Sequence, residues 1–180
     1  ETSENFMALR DIILYPHEVL STKADPIDEV DDDLRQLVDD MIETMYDAPG
    51  IGLAAPQIGI LQRLTVIDIS NEENPDKLYT FINPQIVHAE GRIVWEEGCL
   101  SIPGAYEKVE RSNKIVVQAL DRDGEEFELE AEGLLAVAIQ HEIDHLDGVV
   151  FLDHLSALKR RMTLKKYRKH LEAMEKERLE

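Results

Sequence analysis

The 180-residue chain contains a single cysteine, Cys99, so it cannot form an internal disulfide. This excludes the disulfide-stapled secreted domains and fits a reducing compartment. No stretch approaches the roughly 18 consecutive apolar residues of a membrane-spanning helix, and the N-terminus lacks the basic and then apolar order of a signal peptide. These absences predict a soluble protein of the cytoplasm with no membrane partner.

Basic residues are also scarce, because 19 lysines and arginines face 38 acidic residues, for a formal net charge of −19. Such a surface repels phosphate backbones, which excludes general DNA binding. The charge is unevenly distributed: residues 159–180 carry +5 and residues 1–158 carry −24. This contrast suggests that the C-terminal segment docks to a partner, although a solvated amphipathic face is the simpler interpretation.

The length and the 43% hydrophobic content suit one domain with its own core. Residues 1–6 are mostly polar and precede Met7, so we expect them to be a non-native remnant or a frayed end. We expect residues 7–180 to form the single domain.

The apolar pattern predicts a mixture of helices and short strands. Residues 31–46 have apolar positions at three- and four-residue steps behind an Asp-rich start, which predicts a first helix. A second helix is predicted over 132–146, and a basic C-terminal helix over about 158–179. Strands are predicted at 64–69, 79–82, 93–95, 114–120 and 126–130, the last two forming an antiparallel hairpin.

These elements predict an α+β fold. The second helix should pack centrally against antiparallel β-sheets, with the N-terminal and C-terminal helices outside.

The second helix carries an H-E-x-x-H motif, His141-Glu142-Ile143-Asp144-His145. Its two imidazoles lie one turn apart on one side of the helix and can bind one metal ion. They continue the apolar face, so the site should be enclosed. Glu142 can take a proton from water and pass it to a leaving group, which indicates a hydrolase. The alternative is a pair of core histidines bonded to backbone.

A catalytic metal of this kind needs a third protein ligand. A metzincin would have a histidine six residues after His145, but Phe151 occupies that position, which excludes the class. A thermolysin-like peptidase would use Glu172, at a loose spacing. Cys99, preceded by a glycine, would complete a Cys-His-His set. For the cysteine alone, an inert buried thiol is the alternative.

Three blocks together resemble the peptide deformylases: residues 50–57 (GIGLAAPQ), 97–101 (EGCLS) and 140–148 (QHEIDHLDG). They occur in the family's order, and the resemblance runs from about Leu9 to the C-terminal helix. Within the family, the chain resembles the bacterial type with a helical C-terminus. A G-x-G nucleotide-binding turn is excluded for the first block, because it follows a helix and no βαβ unit comes after it.

The resemblance implies an activity, a metal and a partner. The activity is removal of the N-formyl group from formyl-methionine of nascent polypeptides, with release of formate, in the bacterial cytoplasm. The cofactor is one divalent ion, Fe(II) in the cell, with Zn(II), Ni(II) or Co(II) able to substitute. Docking of the C-terminal basic helix to the ribosome is also implied. A non-catalytic ribosome-associated module is a further alternative.

The resemblance also implies roles for individual residues. The metal ligands are Cys99, His141 and His145, the acid/base is Glu142, and the oxyanion donors are Gln57 and the Leu100 N–H. Gly52 contacts substrate through its backbone. A methionine slot is expected from Ile51, Trp95, Leu134, Val137 and Ala138, with ordinary core packing as the alternative for Leu134 and Val137.

Other residues near the motifs, and the remaining histidines, also have expected roles. Glu97 or Asp144 is expected to support the histidine ligands. Tyr106 stands where many relatives carry an arginine, which leaves contacts beyond methionine undetermined, while Arg111 is retained. The remaining histidines are expected at the surface or in packing roles: His17, His88, His154 and His170.

Overall fold

The computed structural model describes residues 8–180, so the expectations for residues 1–6 and Met7 lie outside the described range. Within it, the chain forms three α-helices: α1 (Asp32–Asp47), α2 (Leu134–Leu146) and α3 (Ala157–Leu179). Short 3₁₀ turns occur at Glu18–Ser21, Ala55–Ile58 and Phe151–His154.

The strands form two antiparallel sheets in the described part of the chain. One has five strands in the order β1-β2-β3-β6-β7, and the other pairs β4 with β5. The strands are β1 (Gly52–Ala54), β2 (Leu64–Asp68), β3 (Leu78–Glu90), β4 (Ile93–Glu97), β5 (Glu107–Arg111), β6 (Lys114–Leu120) and β7 (Glu126–Glu132). The α+β fold with antiparallel sheets, predicted from the sequence, is confirmed.

The boundaries of α1 and α2 differ slightly from the prediction, for local reasons. Asp31 caps α1 rather than joining it, since its carboxylate accepts a hydrogen bond from the Leu34 N–H at 2.9 Å. Glu132 does not begin α2, because it pairs with Lys114 at the end of the β6–β7 ladder. Gly133, at φ +62°, then turns the chain into the helix.

The prediction missed two strands and most of a third. Asn83 and Pro84 suggested that β3 ends near residue 82, yet the strand continues through an irregularity in its pairing. Asn83 adopts φ +51° there, and its side chain bonds both backbone groups of Ile27 at 2.8 Å. Strand β1 has only three residues, and β5 has one apolar residue, Val109, so neither shows a clear alternating pattern.

Helix α2 contacts both sheets, since it packs against the large sheet and its side chains meet Glu97 of β4 and Arg111 of β5. One side packs with the large sheet in an apolar cluster that includes Phe81, Ile115 and Ile139. A second cluster joins α1 to β1 and β2, and a third joins β5 to the last 3₁₀ turn and α3. The central position of the motif-bearing helix therefore agrees with the prediction.

Helix α3 is mostly exposed, with Thr163 and Tyr167 as its buried residues. The Tyr167 hydroxyl donates a hydrogen bond to the Tyr15 carbonyl at 2.8 Å, which ties the helix to the N-terminal segment. Among residues 8–180, no helix combines the length and apolar character required to span a membrane.

Candidate metal centre

The donor atoms of Cys99, His141 and His145 converge at one point. The Nε2 atoms of the two histidines are 3.2 Å apart, and Cys99 Sγ lies 3.3 Å from His145 Nε2. The histidines come from adjacent turns of α2, and Cys99 comes from the loop after β4. The residues that the sequence singled out as ligands are thus brought together, with all three donor atoms within 4.8 Å of one another.

This donor set fits a divalent transition metal. Around a tetrahedral ion with bonds of about 2.1 Å to nitrogen and 2.3 Å to sulfur, donor atoms stand roughly 3.3–3.6 Å apart. The observed spacings are close to that range. Burial lowers the pKa of His145 well below its usual value, which favours the neutral imidazole that a metal requires.

Gly98 brings the loop of Cys99 close to an aromatic ring. A Cβ atom at residue 98 would lie 2.6 Å from the ring of Tyr106. A glycine is therefore required for the loop to follow this path, unless the exposed tyrosine moves away.

Glu142 is 4% exposed and points into the same site. Its Oε1 lies 4.0 Å from His141 Nε2, and its other oxygen lies 3.5 Å from the Thr65 hydroxyl. Burial raises the pKa of Glu142 to about 7, although His141 and Thr65 partly offset the effect. A carboxyl group that titrates near neutrality can both accept and return a proton. The sequence reasoning missed Thr65, which lies in the buried part of strand β2 among apolar residues.

The carboxylate of Glu142 rests against Gly52. A Cβ atom at residue 52 would lie 2.6 Å from Glu142 Oε1 and 3.0 Å from Cδ. Gly52 was predicted to contact substrate, and that role stays a prediction. The structure adds a requirement of its own, since a side chain here would displace the acid/base candidate.

We therefore expect Gly52→Ala to lower kcat by about 10- to 100-fold, because ångström-scale displacement of a catalytic group has effects of this size. Metal content should not change, since the atoms nearest to the added methyl group belong to Glu142 and not to a ligand. Formate release and metal analysis on the same preparation would test this. Val87→Ala, at an exposed position of β3, provides a control that should keep full activity. An unchanged kcat in Gly52→Ala would contradict the geometry.

Gln57 is held rigidly beside the donor cluster. Its Oε1 accepts a hydrogen bond from the Ala54 N–H at 2.9 Å, and its Nε2 donates to the Ser101 hydroxyl at 3.1 Å. The same nitrogen is 3.6 Å from Cys99 Sγ. Within residues 8–180, no acceptor pairs with the Leu100 backbone N–H. Both predicted oxyanion donors thus belong to the segments that surround the centre.

Glu97 contacts a candidate ligand directly. Its Oε1 lies 2.9 Å from His141 Nδ1, and Arg111 donates to both of its oxygens at 2.8 Å. Burial alone would raise the pKa of Glu97, but the hydrogen bonds from Arg111 and His141 outweigh burial and lower it to about 2. Glu97 is therefore an ionised acceptor that orients the His141 ring.

Asp144 contacts neither histidine ligand through its side chain; instead it accepts from Arg111 Nη1 at 2.5 Å. Arg111 thus bridges the two carboxylates, a role that the sequence reasoning missed.

Comparison with known proteins assigns the chain to a family. The sequence model described as polypeptide deformylase matches residues 9–161. A peptide deformylase of Acidobacterium capsulatum is 57% identical over 163 residues, which cover 91% of this chain and 96% of the relative. The chain belongs to the polypeptide deformylase family. The activity that the resemblance implies, hydrolytic removal of the N-formyl group from nascent polypeptides, is therefore confirmed.

Solved deformylase structures have the same architecture. The peptide deformylase of Legionella pneumophila superposes with a TM-score of 0.88 at 48% identity, covering 93% of this chain and 98% of that one. The enzyme of Synechococcus elongatus, in complex with actinonin, gives a TM-score of 0.83 at 43% identity, covering 87% and 86%. The three helices and antiparallel sheets of this chain are thus a deformylase fold.

The predicted methionine slot of this deformylase is only partly assembled by the described contacts. Leu134, Val137 and Ala138 lie on α2 within two turns of His141, but Ala138 also packs in the cluster of the large sheet. Trp95 is two residues before Glu97, so the two side chains leave the same face of β4. Ile51, directly before β1, is exposed. The slot stays a prediction.

The thermolysin-like alternative does not agree with this deformylase structure. Glu172 is exposed on α3 and does not belong to the donor cluster. Two of the remaining histidines have local roles at the surface: His17 accepts from the Val19 N–H, and His88 pairs with Glu90. His154 is also at the surface, and its Nε2 lies 2.8 Å from Asp144 Oδ2.

Proposed function

We propose that Cys99, His141 and His145 hold one divalent metal ion, and that Glu142 serves as the acid/base for hydrolysis of the formyl amide in N-formyl-methionyl peptides. One observation carries the proposal: three metal-binding donor atoms converge beside a buried carboxyl group whose pKa is near neutrality. A non-catalytic binding module would have no use for that carboxyl group.

The ion, when bound, supplies the Lewis acidity that activates water and polarises the formyl carbonyl. Glu142 accepts a proton from the attacking water and delivers it to the departing amine, so formate and a free N-terminus leave. The Gln57 side-chain amide and the Leu100 N–H donate hydrogen bonds to the carbonyl oxygen as negative charge develops on it. Gln57 needs little reorganisation for this, because Ala54 and Ser101 already fix its amide.

Resemblance to the family supports Fe(II) as the ion in the cell, with Zn(II), Ni(II) or Co(II) as substitutes, and the donor chemistry is compatible with each of them. Two imidazoles and one thiolate form a set that all four ions accept. The thiolate also gives the ion more electron density than a third imidazole would. The lone cysteine and the family's bacterial occurrence support the cytoplasm as the place of action.

The direct experiment is formate release from formyl-Met-Ala-Ser by protein purified anaerobically and loaded with Fe(II) or Ni(II). We expect turnover that requires the metal and stops on addition of a chelator. Absence of formate from a sample with a full complement of metal would refute the proposal. A peptidase assay would then be the next measurement.

We also propose that α3 docks to the ribosome. It carries nine lysines and arginines, eight of them exposed, on an otherwise acidic protein, which suits an RNA-rich partner. We expect Lys165, Lys166 and Lys169 changed together to glutamate to abolish co-sedimentation with ribosomes. Turnover of formyl-Met-Ala-Ser should stay as in the wild type. Unchanged co-sedimentation would contradict docking through this helix.

A further inference from the structure

His154 lies at the outer end of a chain of hydrogen bonds that reaches the metal centre. Its side chain is 40% exposed, and its Nε2 lies 2.8 Å from Asp144 Oδ2. The same carboxylate oxygen accepts from Arg111 Nη1 at 2.5 Å, and His154 Nε2 also lies 3.4 Å from that Nη1 atom. His154, Asp144 and Arg111 line a cavity of about 590 Å³ that opens to solvent. The chain therefore begins at the protein surface.

The inner end of the chain is a candidate metal ligand. Arg111 is 4% exposed and donates from Nε and Nη2 to the two oxygens of Glu97. Glu97 Oε1 also faces His141 Nδ1 at 2.9 Å. With the Nε2 lone pair directed at the donor cluster, Nδ1 carries the proton that Glu97 accepts. Four contacts thus connect a surface histidine with the orientation of the His141 ring.

Arg111 is the central residue of the chain. Because its guanidinium is planar and rigid, a shift at one edge of the group moves the other edge. Glu97 holds one edge of Arg111 and Asp144 holds the other, so the plane of the group is determined by both carboxylates. Asp144 is 24% exposed and can turn towards water if nothing retains it. The hydrogen bond from His154 retains it against Arg111.

We propose that His154 is a positioning residue for the metal centre, acting through Asp144, Arg111 and Glu97 on His141. This inference rests on the proposed function, because it takes His141 as a ligand. Without the His154 hydrogen bond, Asp144 keeps only its ion pair with Arg111, so that edge of the guanidinium is held less firmly and Glu97 orients the His141 ring less firmly. The metal then dissociates faster although no ligand has changed.

The test is the rate at which the metal-loaded protein releases its ion to an excess of chelator at constant pH. Replacing a residue that contacts a ligand lowers metal affinity by roughly 10- to 100-fold. We therefore expect the more distant His154→Leu to accelerate release by about 3- to 10-fold. His154→Gln keeps an N–H donor for Asp144 and should stay within about twofold of the wild type. His88→Leu, which removes a surface histidine paired with Glu90, is the matched control and should have no effect.

Two results would overturn the inference. Release from His154→Leu at the rate of the wild type would show that the chain does not reach the metal. Release from His154→Gln as fast as from His154→Leu would assign the effect to loss of the ring instead of loss of the hydrogen bond. Formate release by the wild type, measured separately, reports on the proposed function, so the two can fail independently.

A double-mutant cycle tests whether the links act in series. If His154 acts only through Asp144, then Asp144→Asn and the double variant with His154→Leu should release metal at the same rate. Multiplied effects in the double variant would contradict a serial chain. Thermal unfolding of the metal-free variants shows whether the fold is retained, and kcat and KM on the loaded protein should show a change in kcat with KM preserved.

Discussion

Replacing Glu142 with glutamine will leave the metal bound and lower kcat by about 10²- to 10⁴-fold, the range that general acid–base catalysis contributes. Glutamine has nearly the same volume as glutamate, so its packing against Gly52 is preserved. Its amide, however, can neither accept nor return the proton. Formate release from formyl-Met-Ala-Ser, measured with the metal content of each sample, tests this. Glu142→Ala should lose activity to the same extent.

Retention of more than a tenth of the wild-type kcat in Glu142→Gln would remove Glu142 from the acid/base role. Loss of metal together with activity would indicate a ligand instead. Gln118→Glu, on the exposed face of β6, provides a control for a glutamine–glutamate exchange remote from the site. It should leave both activity and metal content unchanged.

The Glu142→Gln substitution should also make the metal-free protein more resistant to heat at pH 8. Burial raises the pKa of Glu142 from 4.5 to about 7 in the folded protein. The stabilisation from the protonated, buried carboxyl is fully present below the unfolded pKa near 4.5 and is lost as pH rises through 7. Glutamine stays neutral, so its advantage over the wild type should grow over that interval. An advantage in Tm that does not depend on pH would contradict this explanation.

Replacing Cys99 with alanine will remove the metal and with it the activity. Changes to groups around metal ligands lower affinity by roughly 10- to 100-fold, so loss of one of three ligands should exceed about 100-fold. Metal content after dialysis and formate release at saturating metal would measure the two effects. Cys99→Ser, with a harder and less readily ionised donor, should bind more weakly than the wild type.

Glu172→Ala is the matched test of the peptidase alternative. The exposed position of Glu172 on α3 predicts full metal content and full activity for this variant. Loss of metal from Glu172→Ala with retention in Cys99→Ala would reverse the assignment of the third ligand.

Local sequence patterns were sufficient to predict the elements whose geometry depends on residues close together in the chain. The spacing of His141 and His145 places both imidazoles on one side of any helix, and α2 is that helix. The turn at residues 121–124 likewise predicts the β6–β7 hairpin, where Gly124 adopts φ +80°. Cys99 was already a candidate for the third ligand, but only the three blocks of family resemblance favoured the ligand over a buried thiol, because the neighbours of Cys99 do not distinguish the two.

Contacts between distant segments determined the rest. Glu132 belongs to β7 because Lys114 is its partner, and β5 forms because β4 supplies the opposing backbone, although its own residues are mostly charged. Burial raises the pKa of Glu142, and pairing with Arg111 lowers that of Glu97, so the chemistry of each carboxyl depends on what surrounds it.

The chain of contacts from His154 to His141 also depends on contacts between distant segments, so it could not be predicted from the sequence. It joins residues from β4, β5, α2 and the last 3₁₀ turn, and nothing in the spacing of those residues relates them. Short motifs in the sequence were enough to identify the family, the reaction and the candidate metal ligands. The charged groups that support those ligands could be identified from the folded chain alone, since hydrogen bonds between distant segments exist only after folding.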